Sequence, residues 1–308
     1  MSENAIEVAG LVKHFGSVHA LNGLNLVVPT GQVTGFLGPN GAGKTTTIRI
    51  ILGLIKAGGG SVSLLGGNPW RDAVALHKRL AYVPGDVALW PNLTGGQIID
   101  VLSALTGGLE KTRREAMIER FQLDPTKKAQ TYSKGNRQKV ALVAALASRA
   151  ELLVLDEPTS GLDPIMEAEF QAVIKEVKQE GRSVLLSSHI FAEVESLADQ
   201  VTIIREGKTV ESGTLSQLRH LARTQVKVST DTPLAVASIP GVYDAITDGQ
   251  DVTFSVDTAD WSKVLQALSL LRVDALVANP PSLEQIFLSH YSDEIPASPA
   301  NDQVEAAK

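Results

Sequence analysis

The chain has 308 residues, of which 44% are hydrophobic and 20% charged, and its formal net charge is −6. This length exceeds that of a typical single domain, so we expect one large domain and a smaller one. The chain contains no cysteine, which excludes disulfides and thiolate metal sites. The acidic charge counts against a nucleic-acid partner, because nucleic-acid binders usually carry a basic face.

No targeting or membrane-spanning segment is visible in the sequence. Residues 1–4 lack the basic segment that begins a signal peptide. A membrane helix requires about 18 or more consecutive apolar residues. The most apolar stretch, residues 141–155, is interrupted by Ser148, Arg149 and Glu151. We therefore expect a cytoplasmic chain that does not span a bilayer and reaches the membrane only through a partner.

The first third of the chain mixes strand and helix patterns. Apolar runs between Gly, Asn and Pro predict strands and one helix, in the order strand 6–15, strand 24–28, strand 33–37, helix 44–54 and strand 61–65. From about residue 87 to residue 132 the pattern becomes helical, with helices expected over 97–105 and 111–121. Thr94 and Gln97 have the spacing of a capping box for the first of these. We interpret residues 87–132 as a helical insertion in an α/β domain.

Strand and helix patterns alternate again after the insertion. Three short apolar runs predict parallel strands covered on both faces, at residues 152–155, 183–187 and 201–204. A linking helix is expected over 215–223, followed by a small β/α arrangement with apolar segments at 226–228, 234–238, 252–256, 261–271 and 275–277. The predicted organisation is an α/β domain over 1–214, a small C-terminal α+β domain of unassigned role over 215–291, and a disordered tail over 292–308.

A glycine-rich phosphate loop follows the strand predicted at residues 33–37. The pattern G-x-x-x-x-G-K-[ST] is matched in full by Gly38-Pro39-Asn40-Gly41-Ala42-Gly43-Lys44-Thr45, and Thr46 follows. Glycines let several backbone N–H groups point at one anion, and the start of the helix adds partial positive charge. We expect Lys44 to reach the terminal phosphates and Thr45 to ligate Mg²⁺. The alternative, a chance glycine turn before a helix, is disfavoured by the flanking strand and helix.

Two carboxylates end the strand predicted at residues 152–155. Ligands of α/β sheets bind at the carboxyl ends of the strands, which is where Asp156 and Glu157 lie. We expect Asp156 to hold Mg²⁺ through water and Glu157 to act as the general base for an attacking water. Two acids that merely end a strand would be the alternative if no phosphate loop were present. Together the two motifs predict a P-loop NTPase, and a small-molecule kinase would show the same pair.

A second anion site is predicted at the start of the helix over residues 134–148. Ser133 occupies the N-cap position, and Gly135 follows in the first turn. One nucleotide does not require two such sites in one chain. Two copies facing head to tail would use both, because each helix start would close over the ATP of the other copy.

These motifs, in this order, resemble the ATPase of ABC transporters over roughly residues 5–215. The family signature reads Leu-Ser-Gly-Gly-Gln, and this chain keeps the Ser and the Gly in Tyr132-Ser133-Lys134-Gly135-Asn136. A closer match in letters, Leu93-Thr94-Gly95-Gly96-Gln97, lies in the insertion. The signature should open the helix that precedes the acid-bearing strand, and only Ser133 does so.

The resemblance implies roles for further residues. Phe15 would stack on adenine, although an aromatic residue at a strand end is often part of the core. Ser160-Gly161-Leu162-Asp163 resembles the loop that contacts the opposite subunit. His189 resembles the histidine that contacts the γ-phosphate, and with Glu157 and Lys44 it completes the expected catalytic set. A hydrogen-bonded histidine at a strand end is the alternative for His189.

The chain departs from the family pattern at two positions. The family has Gln where this chain has Gly85, which cannot ligate Mg²⁺ through a side chain. Asp86, one residue later, is the hypothetical substitute. Lys134 adds a cation to the signature, which either strengthens phosphate binding or faces solvent.

The resemblance implies a subunit of an exporter that binds and hydrolyses ATP, with Mg²⁺ as its metal. The helical insertion with Leu89-Trp90-Pro91 is expected to offer an exposed apolar surface to a membrane partner. Tyr132–Lys139, together with Leu89–Gly96 and the Ser282–Phe287 segment, is similar to bacterial drug and antibiotic exporters whose membrane subunit is a separate chain. The expected partners are that permease and a second ATPase subunit, at the inner face of the membrane. The alternative is a soluble ABC ATPase of translation or DNA repair, but such chains carry two ATPase halves or a long coiled coil, and neither is visible here.

Overall fold

The computed structural model describes residues 3–219 and 223–292. Contacts divide the chain into two compact units, with the boundary between Leu215 and Ser216. The tail predicted at residues 292–308 lies outside the described residues from position 293 onward. Residues 220–222 of the predicted linking helix also lie outside them.

The first unit alternates strands and helices. Its strands are β1 Asn4–Phe15, β2 Val18–Pro29, β3 Val33–Leu37, β4 Gly59–Leu64, β5 Leu80–Val83, β6 Leu152–Asp156, β7 Ser183–Ser188, β8 Gln200–Arg205 and β9 Lys208–Thr214. Its helices are α1 Lys44–Ile51, α2 Ala73–His77, α3 Gly95–Leu105, α4 Lys111–Arg120, α5 Lys134–Ala147, α6 Pro164–Gln179 and α7 Phe191–Leu197. The short helix α8, Leu215–Arg219, begins at the boundary.

A six-stranded sheet in the order β5-β6-β7-β3-β8-β9 forms the centre of this unit. The first five strands are parallel, and every residue of β3, β6 and β7 is buried, so the prediction of doubly covered parallel strands is confirmed. The carboxyl ends of these strands therefore meet at one edge. The sequence did not predict β9, because its residues are half exposed with no apolar run, and antiparallel pairing with β8 forms it.

A smaller antiparallel sheet, in the order β2-β1-β4, shares its core with the central sheet. Its inward side chains, such as Ile6 and Leu26, belong to the same buried cluster as Ile48 of α1 and Phe36 of β3. Burial of such side chains contributes roughly 1.5–3 kcal/mol each. Helix α1 is thus packed against both sheets.

Helices α3 and α4 form the insertion that precedes α5. The capping box at the start of α3 is confirmed, because Thr94 accepts from the Gln97 N–H and Gln97 accepts from the Thr94 N–H. Two arginines of α4 tie the insertion to the α6 region. Arg113 pairs with Glu180 at 2.6 Å, and Arg120 pairs with Glu176 at 2.6 Å.

The second unit contains an antiparallel sheet in the order β11-β12-β10-β13. Its elements are β10 Thr224–Thr230, α9 Pro233–Ala237, β11 Val242–Asp248, β12 Asp251–Val256, α10 Trp261–Leu268, β13 Val273–Asn279 and α11 Leu283–Ser292. Val228, Phe254 and Val264 lie at its core. The edge strand β11 escaped prediction because most of its residues are exposed and its sequence has no buried alternation. In neither unit is there, within the described residues, a helix with the length and apolarity to cross a membrane.

Candidate functional site

The phosphate loop connects the buried strand β3 to helix α1. Gly41 and Gly43 have φ values of 81° and 110°, a region that glycine enters at no steric cost. A Cβ on Gly38 would lie 2.4 Å from the carbonyl oxygen of Ile204. The glycines are therefore needed both to curve the loop and to bring it against β8.

Lys44 lies in the loop with its ammonium group directed at backbone oxygens. Nζ donates to the carbonyl of Gly38 at 2.6 Å and to that of Pro39 at 3.2 Å, and it lies 3.6 Å from Oε1 of Glu157. Burial lowers the pKa of Lys44, while the charges of Glu157 and Asp156 oppose that shift. An ammonium group beside a glycine-rich loop attracts phosphate, because charge-assisted hydrogen bonds are strong.

Thr45 and Asp156 are brought together at the ends of α1 and β6. The Thr45 hydroxyl donates to Oδ2 of Asp156 at 3.0 Å, and the Ser187 hydroxyl donates to Oδ1 at 2.5 Å. Asp156 is 3% exposed, so these bonds fix its orientation. Ser187 is a residue that the sequence analysis missed. Its register beside Asp156 in the neighbouring strand would have identified it only once the strand order was known.

Glu157 follows Asp156 in a strained backbone conformation. Its φ is 49°, uncommon for a residue with a side chain, and its N–H donates to the carbonyl of Ser187 at 3.0 Å. Its carboxylate lies 3.6 Å from Lys44 Nζ and 3.4 Å from Nδ1 of His189. The structure thus brings Lys44, Glu157 and His189 to one place.

A cavity of about 240 Å³ opens above the phosphate loop. Its lining includes the loop, Glu157 and three residues of β2 that the sequence analysis missed, Val18, His19 and Ala20. These follow Phe15 in the β1–β2 hairpin. Their proximity to the loop results from sheet packing and has no local motif.

Phe15 is 50% exposed, so its ring is not part of the core. The alternative considered for it is therefore wrong. Lys13 Nζ lies 5.0 Å from the centroid of the ring. Phe15 belongs to the same hairpin as the cavity-lining residues and is available to a ligand.

Ser133 caps α5 away from this cavity. Its hydroxyl accepts from the N–H of Asn136 at 3.2 Å, and the side chain is exposed. A Cβ on Gly135 would lie 2.4 Å from the carbonyl of Gly161, so the glycine permits close contact with the loop over residues 160–163. Lys134 donates to the hydroxyl of Ser160 at 2.9 Å, a contact that the two sequence alternatives did not include. The second helix start is thus organised but does not line the phosphate cavity.

Gly85 and Asp86 differ in position. A Cβ on Gly85 would lie 3.1 Å from the carbonyl oxygen of Asp156, so Gly85 is next to the acidic pair. Asp86 is exposed and is not among the residues that line the cavity. No group of three or more His, Asp or Glu side chains fit to hold a metal occurs within residues 3–219 and 223–292.

Comparison with known proteins agrees with this geometry. The family described as "ABC transporter" matches residues 21–160. "Bacitracin transport ATP-binding protein BcrA" of Enterococcus faecalis is 35% identical over 78% of this chain and 80% of its own length. "Daunorubicin resistance ATP-binding protein DrrA3" of Streptomyces coeruleorubidus is 31% identical over 96% and 98%.

A solved structure described as "Structure of ATP binding subunit of ABC transporter" is 30% identical, with a TM-score of 0.66, over 70% of this chain and 92% of that chain. The matches therefore extend through the phosphate loop, the acidic pair and the sheet that positions them. With this fold and these relatives, the chain belongs to the ATP-binding proteins of ABC transporters and is an ATPase.

Proposed function

We propose that this chain powers the export of a drug or antibiotic through a separate membrane-spanning subunit, at the inner face of the cell membrane. The observation that carries the proposal is similarity to chains named for bacitracin transport and daunorubicin resistance, the latter over nearly the whole length. The substrate itself would bind the membrane subunit. Its chemistry is therefore proposed only as the class that these names share.

The ATP site is assigned to the cavity above the phosphate loop. Lys44 and the loop N–H groups hold the phosphates, and Phe15 stacks on the base. Thr45 and Asp156 present hard oxygen ligands 3.0 Å apart, a donor set that fits Mg²⁺, with Asp156 acting through water. The metal would neutralise charge on the terminal phosphates.

Hydrolysis is assigned to Glu157 and His189. Glu157 accepts the proton of the attacking water as the water oxygen forms a bond to the γ-phosphorus. The bond from the γ-phosphorus to the β–γ bridging oxygen breaks, ADP leaves, and His189 orients the γ-phosphate. Lys44 stabilises the charge that develops on the phosphate oxygens. A general base contributes about 10²–10⁴-fold to the rate.

Two copies are proposed to form the working unit. Ser133 and Gly135 begin a helix whose N-terminus is exposed and does not line the cavity of its own chain. In a head-to-tail dimer this helix start would close over the ATP of the partner, as a C2 arrangement permits. The loop over residues 160–163 contacts Gly135 and would lie at the same junction.

The membrane subunit is proposed to dock on an apolar cavity of about 300 Å³ between the insertion and the central sheet. Leu52, Leu80 and Leu102 line it, while Leu54 and Leu105 at its border are 56% and 63% exposed. Trp90, which the sequence analysis assigned to an apolar surface, is 51% exposed. Exposed apolar surface next to a cavity of this kind is typical of a protein interface.

The proposal is tested by affinity purification of the tagged chain from detergent-solubilised membranes of its host, with mass spectrometry of the bound proteins. A polytopic membrane protein in near-equal amount is expected. Recovery of soluble partners alone, such as ribosomal or repair proteins, would refute the exporter assignment and leave the ATPase intact.

A pair of variants on α3 makes the test specific. Leu105→Glu places a charge at the cavity border and should lose the membrane protein while its basal ATP hydrolysis stays normal. Ala104→Glu is the matched control, because Ala104 is exposed on the same helix and does not line the cavity. Equal capture by both variants would show that the docking surface lies elsewhere.

A further inference from the structure

Strand β7 ends in two buried serines that have different partners. Successive side chains of a strand point to opposite faces. Ser187 donates to Asp156 on one side, and Ser188 donates to Oε2 of Glu193 at 2.7 Å on the other. The Ser188 oxygen also accepts from the N–H of Ile190 at 2.9 Å. One hydroxyl therefore joins the strand end, the backbone beyond His189 and helix α7.

The carboxyl group of Glu193 is buried, which is unfavourable for its charged form. Glu193 is 6% exposed, and burial raises its pKa, although hydrogen bonds from Ser188 and Thr159 oppose the shift. Burial of an acid costs free energy of folding, and hydrogen bonds to the carboxyl group offset part of that cost. The mechanism proposed above makes no use of this residue.

His189 lies between two residues of this group of hydrogen bonds, Ser188 and Ile190. The imidazole is 48% exposed, and it reaches Glu157 at 3.4 Å from a backbone segment between Ser188 and Ile190. Packing alone cannot hold a half-exposed ring in one place, so the direction of its side chain depends on its backbone.

We propose that Glu193 is a positioning residue, which acts through Ser188 to hold the His189 segment beside Glu157. Glu193 touches neither nucleotide nor water in this role. The inference rests on the proposed roles of Glu157 and His189 in hydrolysis. It predicts that loss of the carboxyl slows the chemical step and leaves the binding of ATP unchanged.

The test measures kcat and KM for Mg·ATP hydrolysis by the full chain, together with its affinity for ATP and its melting temperature. Glu193→Ala and Ser188→Ala should each lower kcat about tenfold, the effect of losing a hydrogen bond to a charged group. KM and the ATP affinity should stay within about twofold of wild type. Glu193→Gln should recover part of the rate, because an amide oxygen still accepts from Ser188.

The double variant Glu193→Ala/Ser188→Ala shows whether the two residues act as one unit. Its kcat should be no lower than that of the slower single variant, since both substitutions remove the bridge between Ser188 and Glu193. Glu195→Ala is the matched control and should keep the wild-type kcat. Two residues along α7 rotate the side chain by about 200° around the helix axis, so Glu195 faces a different side of the helix from Glu193. If Glu193→Ala does not fold, Ser188→Ala and Glu193→Gln carry the comparison.

The proposal is overturned if folded Glu193→Ala or Ser188→Ala hydrolyses ATP at the wild-type rate, or if the double variant multiplies the two losses to about a hundredfold. An equal rise in KM for every variant would also overturn it, because that pattern indicates a general loss of structure. Failure of the proposed function is distinguishable. It would show in Glu157→Gln turning over like wild type, a result that does not depend on Glu193.

Discussion

The helix starts of α1 and α5, the two predicted anion sites, differ in how complete they are. At α1, the phosphate loop is enclosed by buried Lys44, by Asp156 and by Glu157, and a cavity lies above it. At α5, Ser133 caps the helix, but its side chain is exposed and does not line that cavity. The N-terminus of α1 therefore has side chains suited to hydrolysis, whereas the N-terminus of α5 has only groups suited to binding an anion.

This difference is expected if two copies share each ATP site, as proposed above. Charged and strained groups are retained where they act on the substrate, as with the buried Lys44 and the positive φ of Glu157. A polar helix start that lacks such groups is useful only if another chain supplies them.

The largest effect is expected at the catalytic helix start. Glu157→Gln should lower turnover by at least about a hundredfold while ATP binding persists, because the amide cannot accept the proton of the water. Hydrolysis assays and equilibrium nucleotide binding measure the two effects. Glu151→Gln, an acid next to the opposite end of the same strand, is the control and should hydrolyse normally. Undiminished turnover would remove Glu157 from the role of base.

Mixing two inactive variants tests whether the second helix start works in trans. Lys44→Ala and Ser133→Glu should each be inactive alone, one lacking the phosphate contact and the other repelling the phosphate. Random pairing makes about half of the dimers heterodimers, and each head-to-tail heterodimer contains one intact site out of two. An equal mixture should therefore reach about a quarter of the wild-type rate. Activity no greater than the sum of the separate variants would contradict a shared site.

Replacement of Asp86 tests the departure from the family pattern beside Gly85. If Asp86 substitutes for the missing Gln, Asp86→Ala should raise the Mg²⁺ concentration required for half-maximal hydrolysis by up to about tenfold. Titration of Mg²⁺ at saturating ATP measures it, after a chelator has abolished turnover. Because Asp86 is exposed and outside the cavity lining, an unchanged requirement would end this hypothesis.

The smallest effect is expected at the adenine end of the first site. Phe15→Ala should weaken ATP binding about two- to tenfold, the range expected for the loss of one aromatic stack. Phe15→Tyr keeps the ring and should bind normally. Equilibrium binding of ATP and of tripolyphosphate separates the two ends of the ligand. Equal weakening for both ligands would place the role of Phe15 away from the base.

Local sequence determined the parts whose structure depends on neighbouring residues. Strand β3 has the predicted bounds, and the capping box of α3 formed as predicted. The phosphate loop was evident because its glycines, lysine and threonine follow one another in the chain. The α/β class followed from the alternation of apolar runs and helical patterns, since each periodicity reflects one side-chain geometry.

Tertiary structure alone decided which distant residues meet. Ser187 reaches Asp156 because β7 lies next to β6, and His19 lines the cavity because the β1–β2 hairpin packs near the loop. Ser188 and Glu193 are only five residues apart, yet it is the packing of α7 that buries Glu193 and brings it to the Ser188 hydroxyl. Side-chain types and spacing indicate the chemistry that a chain contains, but proximity across a sheet depends on strand order, which no local pattern encodes.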